Sequence, residues 1–149
     1  MIIGIDEAGR GAVVGPMVIT AFICQNGQHE SLGEFEKLTD SKLLSSSERT
    51  DLREELDDYD FANFVIEHDK IDQESLGKLF REVIFETIKE YKPDKLIIDS
   101  PVPPNNLADY RDEILARTAL DMEVVCENEA DLNYPIVSAA SIVAKTKRD

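Results

Sequence analysis

The stretch that most constrains this chain runs Met1-Ile2-Ile3-Gly4-Ile5-Asp6-Glu7-Ala8-Gly9-Arg10-Gly11. Met1 to Ile5 is short, apolar and β-branched, the pattern of a buried central strand. It stops at two adjacent carboxylates. Ionised carboxylates are costly to bury unpaired, so an ordinary strand has no use for Asp6 and Glu7 there. Gly9 and Gly11 bracket Arg10 and let the backbone turn tightly, close to a ligand. A central strand that delivers acids to its C-terminal end and then turns on glycine is a common way to build an α/β site. A plain strand with a polar turn fits the same residues, so the rest of the chain must decide.

A length of 149 residues fits about one domain. Hydrophobic content of 42% and charged content of 32% suit a globular protein with a real core. No apolar stretch approaches the ~18 residues that span a bilayer. Ala12 to Cys24 comes nearest and is interrupted by Gly15, Pro16 and Thr20. No basic segment precedes the first strand, which argues against a signal peptide and for the cytoplasm. Cys24 and Cys126 lie in apolar, strand-like stretches and read as buried free thiols in a reducing compartment; no cysteine spacing suits a metal. Thirty-one acids against sixteen bases give a net charge of −15. Nucleic-acid binders usually carry a basic footprint. A polyanion partner would therefore have to meet a local basic patch or bound cations. The acid excess also fits a high-salt habitat.

Pro16 to Cys24 reads as a second strand, antiparallel to the first, with Pro16 at its start where a missing N–H is tolerated. Gln25 to Glu36 is polar and reads as a loop, with His29 exposed. Ser45 and Glu48 form a capping box that starts a helix over about Ser46 to Tyr59, with Leu52 and Leu56 facing inward. The acids of that helix read as a solvated face. Phe61 to His68 reads as a third strand. Asp72 caps a long helix, with Ile71 and Leu76 as a hydrophobic staple. Leu76, Leu79, Phe80, Val83, Ile84, Ile88 and Tyr91 recur at helical spacing and form its packing stripe. Lys92-Pro93-Asp94 stops it.

Lys95 to Asp99 is a fourth strand, again apolar and again ending in a carboxylate. A strand reached through a helical crossover is expected to run parallel to its neighbour. Beside the first strand, it would bring Asp99 to the same edge as Asp6 and Glu7. Pro101 to Asn106 reads as a proline-rich loop, Asn106 to about Arg117 as a helix, and Met122 to Cys126 as a fifth strand. Glu127 to Tyr134 is an acidic loop. A small-residue helix follows Pro135, and it carries Ser138, Ser141 and Lys145 on one face, a fit for a phosphate backbone. Close packing of Ala139, Ala140 and Ala144 with the polar residues outside is the alternative. Lys145, Lys147 and Arg148 form the one basic cluster of the sequence.

Five motifs in order now resemble type 2 ribonuclease H (ribonuclease HII). They are Asp6 to Gly11; Asp40-Ser41-Lys42; Ile98-Asp99-Ser100; Ala130-Asp131 ahead of Tyr134-Pro135; and Ser138 to Lys145 closing on Arg148-Asp149. Glu129-Ala130-Asp131 and Tyr134-Pro135 are nearer the archaeal branch. The resemblance implies a ribonuclease H-like fold, a mixed five-stranded sheet flanked by helices, its first three strands antiparallel. It implies hydrolysis of RNA in RNA–DNA hybrids and of ribonucleotides embedded in duplex DNA, by a cytoplasmic monomer. It maps four metal-binding acids to Asp6, Glu7, Asp99 and Asp131. It maps a turn that reads the 2′-hydroxyl to Gly9, Arg10 and Gly11, and a phosphate-contacting pair to Ser41 and Lys42. Family members usually continue past the Arg-Asp motif into helices that carry a junction-stacking tyrosine. The expectation is thus a single catalytic domain over residues 1–149 without those helices.

The chemistry of the residues points the same way. Four carboxylates at strand ends cannot all ionise comfortably without counter-charge. Two divalent cations resolve this, and hard oxygen ligands favour Mg²⁺ or Mn²⁺. Two such ions roughly 3.5–4 Å apart clamp an in-line displacement at phosphorus, leaving a 3′-hydroxyl and a 5′-phosphate. Arg10, Lys42 and Lys145 would add phosphate contacts, and telling RNA from DNA needs a contact to the 2′-hydroxyl. A junction resolvase shares the opening strand, but the adjacent Glu7 and the Gly-Arg-Gly turn argue against it. A sugar-kinase-like phosphotransferase needs a longer, two-domain chain. A metal- or hybrid-binding module without turnover is the reading from another class.

Overall fold

β1 runs over Ile2–Ala8 and does not stop at Ile5. Its ladder with β2, Met17–Cys24, continues through the acids: Asp6 pairs with Thr20, Glu7 with Ile19 and Ala8 with Val18. Strand pairing therefore fixes the backbone of both carboxylates. The computed structural model describes residues 1–9, 15–25, 27–39, 41–67, 73–118 and 121–149. Arg10, Gly11, Asp40, His68 and the Ile71–Asp72 cap lie outside the described residues.

Five strands form one mixed sheet in the order β3-β2-β1-β4-β5, with β3 at Asp60–Ile66, β4 at Lys95–Asp99 and β5 at Glu123–Glu127. β1, β2 and β3 are antiparallel in sequence, while β4 is parallel to both β1 and β5. The register aligns Ile5 with Ile98, so Asp6 and Asp99 follow side by side at the C-terminal ends of the two central strands. This is the ribonuclease H-like arrangement the sequence led one to expect.

Strand alternation divides the core in two. On one face Ile3, Ile5, Ile19 and Ile98 pack under α4, Gln73–Tyr91, and α5, Leu107–Ala116. The periodic stripe of α4 supplies Phe80, Val83, Ile84 and Ile88 to this core. On the other face Phe22 and Ile97 pack under α3, Ser46–Glu55, and the last helix of the chain. The capping box is present: Ser45 Oγ accepts from the Glu48 amide at 3.1 Å, and Leu52 and Leu56 point inward. The segment read as a loop contains a short helix, α1 at Gln28–Leu32, because Leu32 is drawn fully into this second core. His29 is half-buried rather than exposed. A second short helix, α2, covers Glu36–Thr39.

The last helix, α6 at Pro135–Arg148, is buried along every residue from Ile136 to Ala144. It lies directly on β1, and the closeness has a local cause. A Cβ at Gly4 would sit 2.9 Å from the carbonyl carbon and oxygen of Ile136. That is closer than real Cβ contacts come, and the neighbouring atoms are rigid backbone. Gly4→Ala must therefore push α6 off the sheet, at a cost of ~1–3 kcal/mol. The expected result is a lower denaturant midpoint with an unchanged slope. A midpoint equal to the parent's would show that α6 has slack.

Candidate active site

Three acids are buried at one edge of the sheet. Asp6 is 5% exposed, Asp99 7% and Asp131 6%. β1 and β4 place the first two. Asp131 sits on a 3-10 turn, Ala130–Leu132, just after β5. Glu7 is half-buried, and strand alternation sends its side chain toward the other face. It nonetheless remains within hydrogen-bond and electrostatic range of Asp6, and its amide donates to Asp6 Oδ1 at 2.8 Å. No turn at Glu7 is needed for this, since the strand runs on to Ala8.

Burial first, and then the negative charges of Glu7 and Asp99, hold the Asp6 carboxyl well above the ordinary carboxylate range. The Glu7 amide opposes this without winning. Across the gap, Lys42 Nζ lies 3.6 Å from Glu129 Oε1 and 4.0 Å from Asp131 Oδ2. Among the described residues, no three of His, Cys, Asp and Glu converge tightly enough to hold a metal ion as they stand. The donor chemistry still fits one. Asp6 and Asp99 offer hard carboxylate oxygens, and a divalent cation would relieve the crowding of like charge at Asp6.

The cations needed by a polyanion gather beside this edge. A cleft of about 470 Å³ is lined by Glu7, Ala8, Gly9, Arg49, Lys145, Arg148 and Asp149. Gly9 has φ +95°, and a Cβ there would meet Arg148 Nε at 2.5 Å. Glycine thus lets Arg148 pass over the turn, where its Nε donates to the Pro16 carbonyl at 2.8 Å. Arg49 donates to the Leu44 carbonyl at 3.0 Å and pairs with Asp149 at 3.8 Å. No local pattern marks Arg49, which sits in a helix otherwise read as an acidic, solvated face. Only its place one turn into α3, opposite α6, brings it to the cleft.

Of the three residues offered as a phosphate face on α6, only Lys145 lines the cleft. Ser138 and Ser141 are buried. Ser138 Oγ donates to the Leu38 carbonyl at 2.6 Å and makes a second hydrogen bond, of 3.0 Å, with Ser41 Oγ. Ser41 is buried as well, so the serine hydroxyls tie the Ser41–Leu43 turn to α6 while Lys42 extends outward, half-exposed. The physical reason is the depth of α6. Its small face is pressed into the sheet, and a hydroxyl satisfied by a nearby carbonyl is tolerated there.

A ribonuclease H-like sheet with buried acids at the ends of its central strands and a basic cleft beside them defines a nuclease-type α/β enzyme. Residues 3–149 match the family model for ribonuclease HII. The chain is 35% identical over 153 residues to ribonuclease HII of Archaeoglobus fulgidus, covering 98% of this chain and 70% of that protein. It is 32% identical over 167 residues to ribonuclease HII of Methanocaldococcus jannaschii, covering 100% and 72%. The crystal structure of ribonuclease H2 from Pyrococcus horikoshii OT3 superposes with a TM-score of 0.82 at 33% identity, over 99% of this chain and 72% of that one. A Bst ribonuclease HIII solved in complex with Mn²⁺ shares the fold, with a TM-score of 0.74 at 20% identity over 99% of this chain and 51% of that one. The chain belongs to the ribonuclease HII family, and by that membership it is a ribonuclease H-class enzyme.

The raised pKa of Asp6 has a consequence for the metal-free protein. The folded state holds this proton to higher pH than the unfolded chain, where the ordinary value is 3.8. Its contribution to stability is full in acid and is lost as pH rises through the raised value. Thermal melts without metal at about pH 5 and about pH 8 should show that loss. Asp6→Asn should flatten the difference, with about 2–4 °C for each kcal/mol relieved. An unchanged pH slope in Asp6→Asn would assign the loss to other groups.

Proposed function

We propose that this chain hydrolyses the RNA strand of RNA–DNA hybrids and cuts at ribonucleotides embedded in duplex DNA, leaving a 3′-hydroxyl and a 5′-phosphate. Ribonuclease H activity on hybrids accords with its family. One observation carries the reading: Asp6 and Asp99 stand side by side and Asp6 is crowded with like charge, while Glu7, next along β1, lines a cleft together with Arg49, Lys145 and Arg148.

Two divalent cations, Mg²⁺ or Mn²⁺, would activate the attacking water and stabilise the leaving 3′ oxygen when bound. Asp6 and Asp99 would hold them from the sheet, with Glu7 and Asp131 completing the set. Burial and like charge favour the protonated form of Asp6 without metal, and a bound cation would offset that and hold the carboxylate ionised. Arg49, Lys145 and Arg148 would track the phosphates on one side of the acids, and Lys42 on the other. Gly9 lies at the rim of the cleft, where Arg148 passes over it, and the Gly9-Arg10-Gly11 segment would supply the contact to the 2′-hydroxyl. The local concentration of basic side chains lets a chain of net charge −15 meet a polyanion.

A duplex with a single ribonucleotide, in Mg²⁺ or Mn²⁺, is the deciding substrate. Asp6→Asn and Asp99→Asn should abolish single-turnover cleavage while keeping some hybrid binding, since asparagine keeps the shape and loses the charge. Asp131→Asn should be milder, because Glu129 and water stand nearby. Arg49→Ala should weaken binding across all sequences and reduce the salt slope by about 1. Parent-rate cleavage by Asp6→Asn at low Mg²⁺ would sink the assignment. Binding without any cleavage by the parent chain would instead favour a hybrid-binding module.

A further inference from the structure

Asp6, Glu7 and Asp99 owe their position to strand pairing, but Asp131 does not. It rides on the segment between β5 and α6, which the sheet does not fix. Within that segment Glu129 has φ +54°, a left-handed conformation that costs a non-glycine residue about 1–2 kcal/mol. Such a conformation persists only where the surroundings over-determine it.

The surroundings are visible. Glu127 is the last residue of β5 and stands in register with Asp99. Its carbonyl accepts from the Ser100 amide at 2.9 Å, so its backbone is tied to the strand end that carries Asp99. Its carboxylate reaches forward over the segment. Oε2 accepts from the Tyr134 hydroxyl at 2.5 Å, and Oε1 accepts from Asn133 Nδ2 at 3.4 Å. Asn128, the next residue, donates through Nδ2 to the carbonyls of Val102, at 2.8 Å, and Ser100, at 3.3 Å. The Tyr134 amide returns to the Ala130 carbonyl at 2.9 Å. The first and last residues around Asp131 are thus joined through one short side-chain bond. Starting α6 does not require that hydroxyl, since Val137 and Ser138 amides donate to the Tyr134 backbone carbonyl. The same bond is the main reason the Tyr134 phenol is held above its ordinary pKa.

We propose that Tyr134 and Glu127 are positioning residues: their hydrogen bond is a clasp that fixes Asp131 against Asp99. Resting on the reading of Asp131 as a cation-holding acid, the clasp acts before any metal or substrate arrives. An acid that must be aligned at the moment of binding loses affinity to the cost of ordering it. A clasp that aligns it in advance removes that cost.

The experiment compares Tyr134→Phe, Glu127→Ala and Glu127→Gln in the same chain. Amide hydrogen exchange of residues 128–133 is read in metal-free protein. Mn²⁺ binding is read by calorimetry, and cleavage at limiting and saturating Mn²⁺. Tyr134→Phe and Glu127→Ala should each speed exchange in the segment and weaken Mn²⁺ by about tenfold. KM for hybrid at saturating metal should stay at the parent value. The double variant should be no worse than either single. Glu127→Gln keeps an acceptor for the phenol and should retain most of the parent affinity. Parent-level exchange and Mn²⁺ affinity in Tyr134→Phe would overturn the proposal. So would a Glu127→Gln as damaged as Glu127→Ala, since charge beside Asp99 would then be what matters. Should Glu127→Ala fail to fold, Tyr134→Phe decides alone, as it removes one hydroxyl. A parent chain that binds no Mn²⁺ would count against the metal reading, and exchange would still decide the clasp.

Discussion

The seating of α6 on β1 is the contact on which the rest depends. Gly4 allows backbone to approach within a distance no side chain would permit. Ala139, Ala140 and Ala144 then keep the helix low along its length. The strand acids are set by the sheet, and the parts of the site around them hang from that helix. The residue that caps its N-terminus, Tyr134, reaches back to Glu127. Its second turn holds the Ser41–Leu43 turn through Ser138. Its last turn brings Lys145 and Arg148 to the cleft at the end of β1. One packed face therefore sets the spacing between acids and bases. Burial of nine consecutive residues supplies the energy that holds it there.

Charge is distributed with the same economy. The chain carries fifteen more acids than bases, and most of the described acids are exposed, on helices, turns and strand ends, where water screens them. At the site the arrangement is the reverse. Asp6, Asp99 and Asp131 are withdrawn from water, where each charge acts more strongly. Arg49, Lys145 and Arg148 converge on a single cleft next to them. Net charge is thus a poor guide to this protein's partner, because attraction and repulsion are separated over a few residues of surface.

The strands were legible in the sequence because they are short apolar runs ended by acids, glycine or proline, and the order β3-β2-β1-β4-β5 combines antiparallel neighbours with two helical crossovers. Asp6 and Asp99 were legible for the same reason, as charges where a buried strand tolerates none. Strand ends were harder. β1 continues to Ala8 because β2 offers partners for it, which no local pattern of β1 reveals. Ser138 and Ser141 share a helix face with Lys145 as expected, but α6 is pressed so deep that the shared face is buried at one end and open at the other. Arg49 and the Glu127–Tyr134 bond were invisible, since each depends on tertiary contacts between residues whose local context is ordinary.

The site acids differ in what surrounds them, and that difference orders their demand for a cation. Asp131 and Glu129 already face Lys42 across 4.0 and 3.6 Å. Asp6 faces Glu7 and Asp99, and burial deepens the conflict. An exposed lysine at such distances offsets little, and salt screens it further. Even so, it sets a gradient of compensation across the site, from the loop that carries Asp131 to the strand that carries Asp6. The strongest need for positive charge therefore falls at the end of β1, next to the basic cleft. Docked phosphate would add negative charge at that same place and deepen the need. On the proposed reading, acids that call for cations and a cleft that would admit a polyanion lie at the same sheet edge, and each makes the other tenable.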